Sequence, residues 1–98
     1  MTTLAASPTR HADPKTLLVE TGTGSVEAFG ALYDALAPLV HGITVRALPD
    51  PAVAERVTER VFLQVWRRAP RYRPDRQEPV PWVLAISYRE LAHWCETR

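Results

Sequence analysis

Ninety-eight residues, 46% of them hydrophobic and 23% charged, allow one small domain with a single compact core. Twelve Lys and Arg against eleven Asp and Glu leave a net charge of +1, so total charge marks the chain neither as a strongly basic nor as a strongly acidic protein. No run of eighteen apolar residues occurs, the one cysteine (Cys95) has no partner for an internal disulfide, and the opening MTTLAASPTRHADPK lacks the charged-then-apolar layout of a secretory signal; a membrane span, a disulfide framework and export are not expected, and a cytoplasmic location is.

The charge is unevenly spread. Residues 1–50 hold three basic and five acidic side chains, and residues 51–98 hold nine and six, all nine of them Arg. Arg67, Arg68, Arg71, Arg73 and Arg76 fall within ten residues. Such a cluster either meets phosphate or simply decorates a helix end, where cations are favoured.

Residues 1–24 read as a flexible N-terminal arm. They are polar, carry Pro8 and Pro14, and show no sustained period. Leu17, Leu18 and Val19 either dock on the core or begin a short helix. Residues 25–98 form the folded domain. Ser25 is a good N-cap, and a helix is expected over about 26–47. Phe29, Leu32, Tyr33, Leu36, Leu39, Val40, Ile43 and Ala47 recur at three- and four-residue steps, which makes one apolar face. Pro38 lies inside this stretch and implies a kink or a break there.

Asp50 and Pro51 are a natural N-cap and first helical residue. The helix they open should reach about Ala69. Val53, Val57, Val61, Val65 and Ala69 make one column, and Ala54, Thr58, Phe62 and Trp66 the next, so its buried face is wide. The other side carries Glu55, Arg56, Glu59, Arg60, Gln64 and Arg67. Glu55 over Glu59 and Arg56 over Arg60 place like charges four apart, which a helix optimised for itself would avoid. Pro70 stops the helix, and a polar, proline-rich loop follows to Pro81. A third helix should begin near Val80 or Pro81 and reach Glu96, with Trp82, Val83, Ile86, Leu91 and Trp94 apolar and Tyr88, Arg89, His93 and Glu96 on the other side. Three helices with one apolar face each imply an all-α fold, a small three-helix bundle.

No phosphate-cradling GxGxxG or GxxxxGK[ST] pattern occurs, nor HExxH, and His93 and Cys95 sit too close in register to share a helix face. No cofactor, metal site or catalysis is expected. The remaining chemical signal is Arg interleaved with Trp and Tyr around the loop, since flat rings stack on unpaired bases while guanidinium groups meet phosphates.

The order of these residues resembles region two of the extracytoplasmic-function (ECF) sigma factors of bacterial RNA polymerase, over about seventy residues from Phe29 to Glu96. AFGALYDALAPLVHGI resembles the family's first helix, with its Phe-x-x-Leu-Tyr opening and the internal proline of actinobacterial members. AERVTERVFLQVWRRAPRYRPDR resembles the family's Val-Phe-Leu-x-Val-Trp run and the aromatic-x-Pro-x-Arg that follows. Trp82, Val83 and Ile86 match its Trp-Leu-x-x-Ile. The resemblance implies two partners. Core polymerase, through the clamp helices of its β′ subunit, would meet Glu55, Glu59, Phe62 and Gln64. The minus-ten element of promoter DNA would meet Arg71, Tyr72, Arg76, Tyr88, Arg89 and His93, with an unstacked base captured by the loop. Such a domain is a binding module, not an enzyme. The sequence departs from the family pattern at Arg56 and Arg60, where acidic residues are usual, and at Arg73, Gln77, Glu78 and Pro79 in the loop. The reversed charges at Arg56 and Arg60 support a second reading, a protein-interaction module that binds an anti-sigma factor or another regulator.

Overall fold

A computed structural model describes residues 13–96, and every regular element among them is helical: α1 (Pro14–Gly22), α2 (Val26–Ala47), α3 (Pro51–Arg68), a short 3-10 turn (Ala69–Arg71) and α4 (Pro79–Glu96). The all-α bundle expected from periodicity is present, with four helices where three were counted. The additional one is α1. Of the expected arm, residues 1–12 lie outside the described residues; residues 14–22 are helical.

The grammar that opens α1 is the one that opens α3. Asp13 and Asp50 are both extended N-caps followed by Pro at the first helical position, and each carboxylate accepts a backbone N–H, from Thr16 at 2.8 Å and from Ala52 at 3.0 Å. Nine residues alone make a marginal helix in water. Burial holds it: Leu17 and Leu18 join a core cluster with Leu32, Leu36, Val40, Val61, Phe62 and Val65. Each such side chain contributes about 1.5–3 kcal/mol when fully removed from water. The chain then turns through Gly24, whose φ of +97° is a backbone state that L side chains rarely adopt. Ser25 restarts it by accepting the Ala28 N–H at 3.0 Å.

The Thr16 N–H, with help from Lys15, holds the Asp13 carboxyl below its ordinary value of 3.8. A lowered folded value means that the cap stabilises the native state fully above the ordinary value and loses this as pH falls through the folded one. Acidification should therefore lower the melting temperature of the native chain more than that of Asp13→Asn, in paired melts at neutral pH and near the carboxylate range. Equal acid sensitivity of the two chains would remove Asp13 as a working cap.

α2 runs without a break through Pro38, so the apolar stripe prevails over the lost backbone donor. At 22 residues α2 is long and apolar enough to cross a membrane by length and composition. One column of it is buried in the bundle, Ala28, Leu32, Leu36, Val40 and Thr44 at four-residue spacing, while Tyr33, Leu39 and Ala47 of the expected apolar face are exposed. Deep between α2 and α3, the Thr44 and Thr58 hydroxyls meet at 2.8 Å, so these buried polar groups are satisfied. A second cluster of Leu48, Ala54, Val57 and Leu91 closes the far end.

Candidate nucleic-acid interface

The end of α3 and the start of α4 frame a basic cleft. Pro70 has no N–H to continue the α-helical ladder, so the chain tightens into the 3-10 turn, closed by Tyr72 N–H to Ala69 O at 3.0 Å. The loop then folds around Pro74 and Asp75, with the Arg76 and Gln77 amides both donating to Arg73 O. Pro79 and Pro81 occupy the first turn of α4, where helix amides need no intrahelical partner.

Tyr72 is the internal fastener of this loop. It is 6% exposed, donates its hydroxyl to Gln77 O at 2.7 Å, and makes a T-shaped ring pair with Trp82, centroids 5.4 Å apart. Burial, then the charges of Glu78 and Asp13, push its phenol above the ordinary value of 10.0, so it stays protonated and donating.

Above this fastener lies a cleft of about 490 Å³ with Arg68, Arg71, Arg76 and Arg89 around Trp82 and Ile86; Gln77 and Glu78 complete the loop side. Four arginines lining one cleft with an indole and an aliphatic residue suit an unpaired nucleotide, the phosphate held by charge and the base by the ring. The α3 C-terminus, where Arg67 and Arg68 sit, favours these cations.

The sequence-derived DNA set divides. Arg71, Arg76 and Arg89 come together in the cleft. Tyr72 does not face it as a free ring: its hydrophobic edge is worth more in the core, and its hydroxyl has found a backbone partner, so it is a support rather than a contact. Tyr88, 56% exposed, and His93, also exposed, lie outside the cleft lining. Arg68 and the Trp82–Ile86 floor were missing from that set. Their signal was spacing: Arg68 precedes Arg71 by three, and Trp82, Ile86 and Arg89 follow one stripe of α4.

A second surface, a groove of about 420 Å³, runs between α2 and α3 and is lined by Val26, Phe29, Tyr33, Glu59, Phe62, Leu63 and Trp66. Its ring pairs, Phe29–Trp66 at 5.3 Å and Tyr33–Phe62 at 4.7 Å, stiffen the walls. Of the polymerase set, Glu59 lies in this groove and Glu55 is exposed one turn earlier on α3, lining a neighbouring hollow with His41. Phe62 is 2% exposed, so it forms the groove's floor and part of the core rather than a free contact. Gln64 is engaged by Arg68, whose Nε donates to its Oε1 at 3.3 Å. Leu63, 43% exposed, is the apolar member that the sequence-derived set lacked. Of the two departures in charge, Arg60 Nε pairs with Glu90 Oε1 at 3.3 Å across α3 and α4, while Arg56 is exposed.

The sequence profile of the Sigma-70 region 2 family matches residues 32–97. Among curated proteins, the chain is 39% identical over 77 residues to the ECF RNA polymerase sigma factor SigK of Mycobacterium sp. (strain KMS), covering 79% of this chain and 40% of that protein. It is 36% identical over 85 residues to SigK of Mycolicibacterium vanbaalenii, 87% of this chain and 43% of the relative. SigK of Mycobacterium tuberculosis (strain ATCC 25177 / H37Ra) is 27% identical over 86 residues, 88% of this chain and 46% of the relative. The chain thus spans less than half the length of these curated relatives. No solved structure matches it.

Proposed function

This chain belongs to the sigma-70 region 2 family, and we propose that it serves transcription initiation as an ECF-type sigma domain, docking on the β′ clamp helices of core RNA polymerase and holding the melted minus-ten strand. The observation that carries this reading is the cleft in which Arg68, Arg71, Arg76 and Arg89 surround Trp82. An indole and an aliphatic floor add nothing to the grip on a closed duplex, whose bases are stacked, but each base stacked on a ring contributes about 1–3 kcal/mol on a single strand. The apolar groove with Leu63 and Trp66 at its wall and Glu59 at its edge is the surface offered to polymerase. It reaches solvent and is lined mainly by apolar side chains, with Glu59 as its one charged residue.

Binding of the whole chain to core polymerase, to a β′ clamp-helix fragment, and to single-stranded against duplex minus-ten oligonucleotides tests the reading. Saturable binding to polymerase and clamp fragment, with preference for the single strand, is the expected result. Failure on all of them, with the chain folded, would refute it and favour the second reading, an anti-sigma factor or other regulator in the groove; that reading draws on the same exposed apolar wall and on the basic Arg56.

Arg56 offers a sharper test than Arg60. Changing Arg60 to an acid would put a second carboxylate beside Glu90 and disturb the α3–α4 contact. Arg56→Asp disturbs no such pair and should tighten clamp-fragment binding by roughly two- to fivefold, the range of an exposed charge interaction. Unchanged or weaker affinity in titration calorimetry would take Arg56 off the docking surface.

A further inference from the structure

α1 touches both ends of the arginine loop. At the near end Gly22, the last residue of α1, lies against the backbone of the 3-10 turn: a Cβ there would stand 2.7 Å from Ala69 O, 3.0 Å from Ala69 C and 3.2 Å from Pro70 Cα. These are backbone atoms and cannot swing aside as a flexible side chain would. At the far end Lys15 Nζ lies 3.4 Å from Glu78 Oε2. Between these points Leu17, Leu18 and Thr21 are buried, and Thr21 donates its hydroxyl to Leu17 O at 2.7 Å. The helix is thereby fastened to the core as a rigid piece.

The atom that Gly22 faces matters to the cleft. Ala69 O accepts the Tyr72 N–H that closes the 3-10 turn. The turn delivers Arg71 to the cleft wall and Tyr72 to its buried seat. From that seat Tyr72 holds Gln77 O and packs its ring against that of Trp82. A continuous set of contacts therefore runs from Gly22 through Ala69 O and Tyr72 to both walls of the cleft.

We propose that α1 is a brace that sets the pose of the arginine loop, with Gly22 as its positioning residue for strand binding. The strand-binding part of this rests on the proposed function; the bracing part does not. The close seat demands a residue without a Cβ, since any side chain would push Ala69 O and tilt the turn that carries Arg71. The Lys15–Glu78 pair, exposed and screened, is a weaker guide at the loop's far end.

Gly22→Ala in the full chain tests the proposal through two readouts. The first is the three tryptophan indole N–H resonances, read without any DNA. The Trp82 resonance and the Tyr72 amide should shift, while those of Trp66 and Trp94 hold. The second is affinity for the single-stranded minus-ten oligonucleotide, which should fall about tenfold, the loss of roughly one base stack, with clamp-fragment affinity unchanged. An unmoved Trp82 resonance with unchanged strand affinity would overturn the brace. So would shifts in all three indoles with equal losses of both affinities, because that describes general loosening rather than positioning. If Gly22→Ala does not fold, Lys15→Glu sets a like charge beside Glu78 at the surface. It should move the same resonances and weaken strand binding by about twofold; no change in either would overturn the proposal. A native chain that fails to bind the strand would refute the functional reading, while the Trp82 spectrum still reports on the brace.

Discussion

Leu18→Ala is expected to lower the unfolding free energy by about 2–5 kcal/mol, the range for a large aliphatic side chain truncated in a packed core. Leu18 is 0% exposed and belongs to the same buried cluster as Leu32, Leu36, Val61 and Val65, although it lies in a stretch that composition alone marks as an arm. The loss has two parts: the transfer free energy of the removed methyl groups, and the cavity that rigid neighbours on α2 and α3 leave behind. Native domains are stable by about 5–15 kcal/mol, so this one change removes a large share of the margin. In a domain of this size each kcal/mol moves the melting temperature by about 4–8 °C, so a fall of roughly 8–40 °C is expected. Val19→Ala is the paired control. Val19 is 39% exposed on the same helix, and its change should stay within about 0.5 kcal/mol. Thermal and urea melts of the two variants decide the matter. Equal, small effects would show that α1 contributes nothing to the fold.

Removing Arg71, Arg76 and Arg89 together should have the largest effect on strand binding. Charge-assisted hydrogen bonds contribute about 1.5–3 kcal/mol each, so about tenfold or more is lost per arginine that meets phosphate at low salt. Salt dependence identifies the cause. For a single strand the slope of log affinity against log salt is about −0.7 for each phosphate neutralised, so the triple alanine variant should flatten the slope by about 2. Clamp-fragment binding should not change, because the groove holds none of the three. A weakened but equally steep curve would mean that these arginines act through loop shape and not through phosphate. The arginines are exposed, so their loss should leave the fold intact and the comparison clean.

Much of the fold was legible because long helices announce themselves. α2 begins and ends where the Ser25 cap and the apolar stripe place it, and α3 follows the Asp50–Pro51 signal and the paired columns from Val53 to Ala69. α1 was left open, as a docked segment or the start of a short helix at Leu17–Val19 within an arm, although Asp13–Pro14 repeats the α3 signal. Nine residues hold too few turns to establish a period, and Pro14 within a polar opening reads equally well as a breaker.

The sequence by itself determined the helical class, the approximate spans of the three long helices, the clustering of arginine on one side of Trp82 and the family resemblance, since each is written in local spacing. Tertiary structure decided which of those residues reach the surface. Phe62 and Tyr72 carry aromatic area that the core takes up, and neighbouring helices rather than their own periodicity set that outcome. Arg60 and Gln64 are claimed by Glu90 and Arg68, and the first of these partners is thirty residues away. Gly22, one residue of the expected arm in the sequence, is set apart only by the backbone of Ala69 and Pro70 pressed against it. Spacing along one chain predicts a face; what the face meets depends on contacts between segments far apart in that chain.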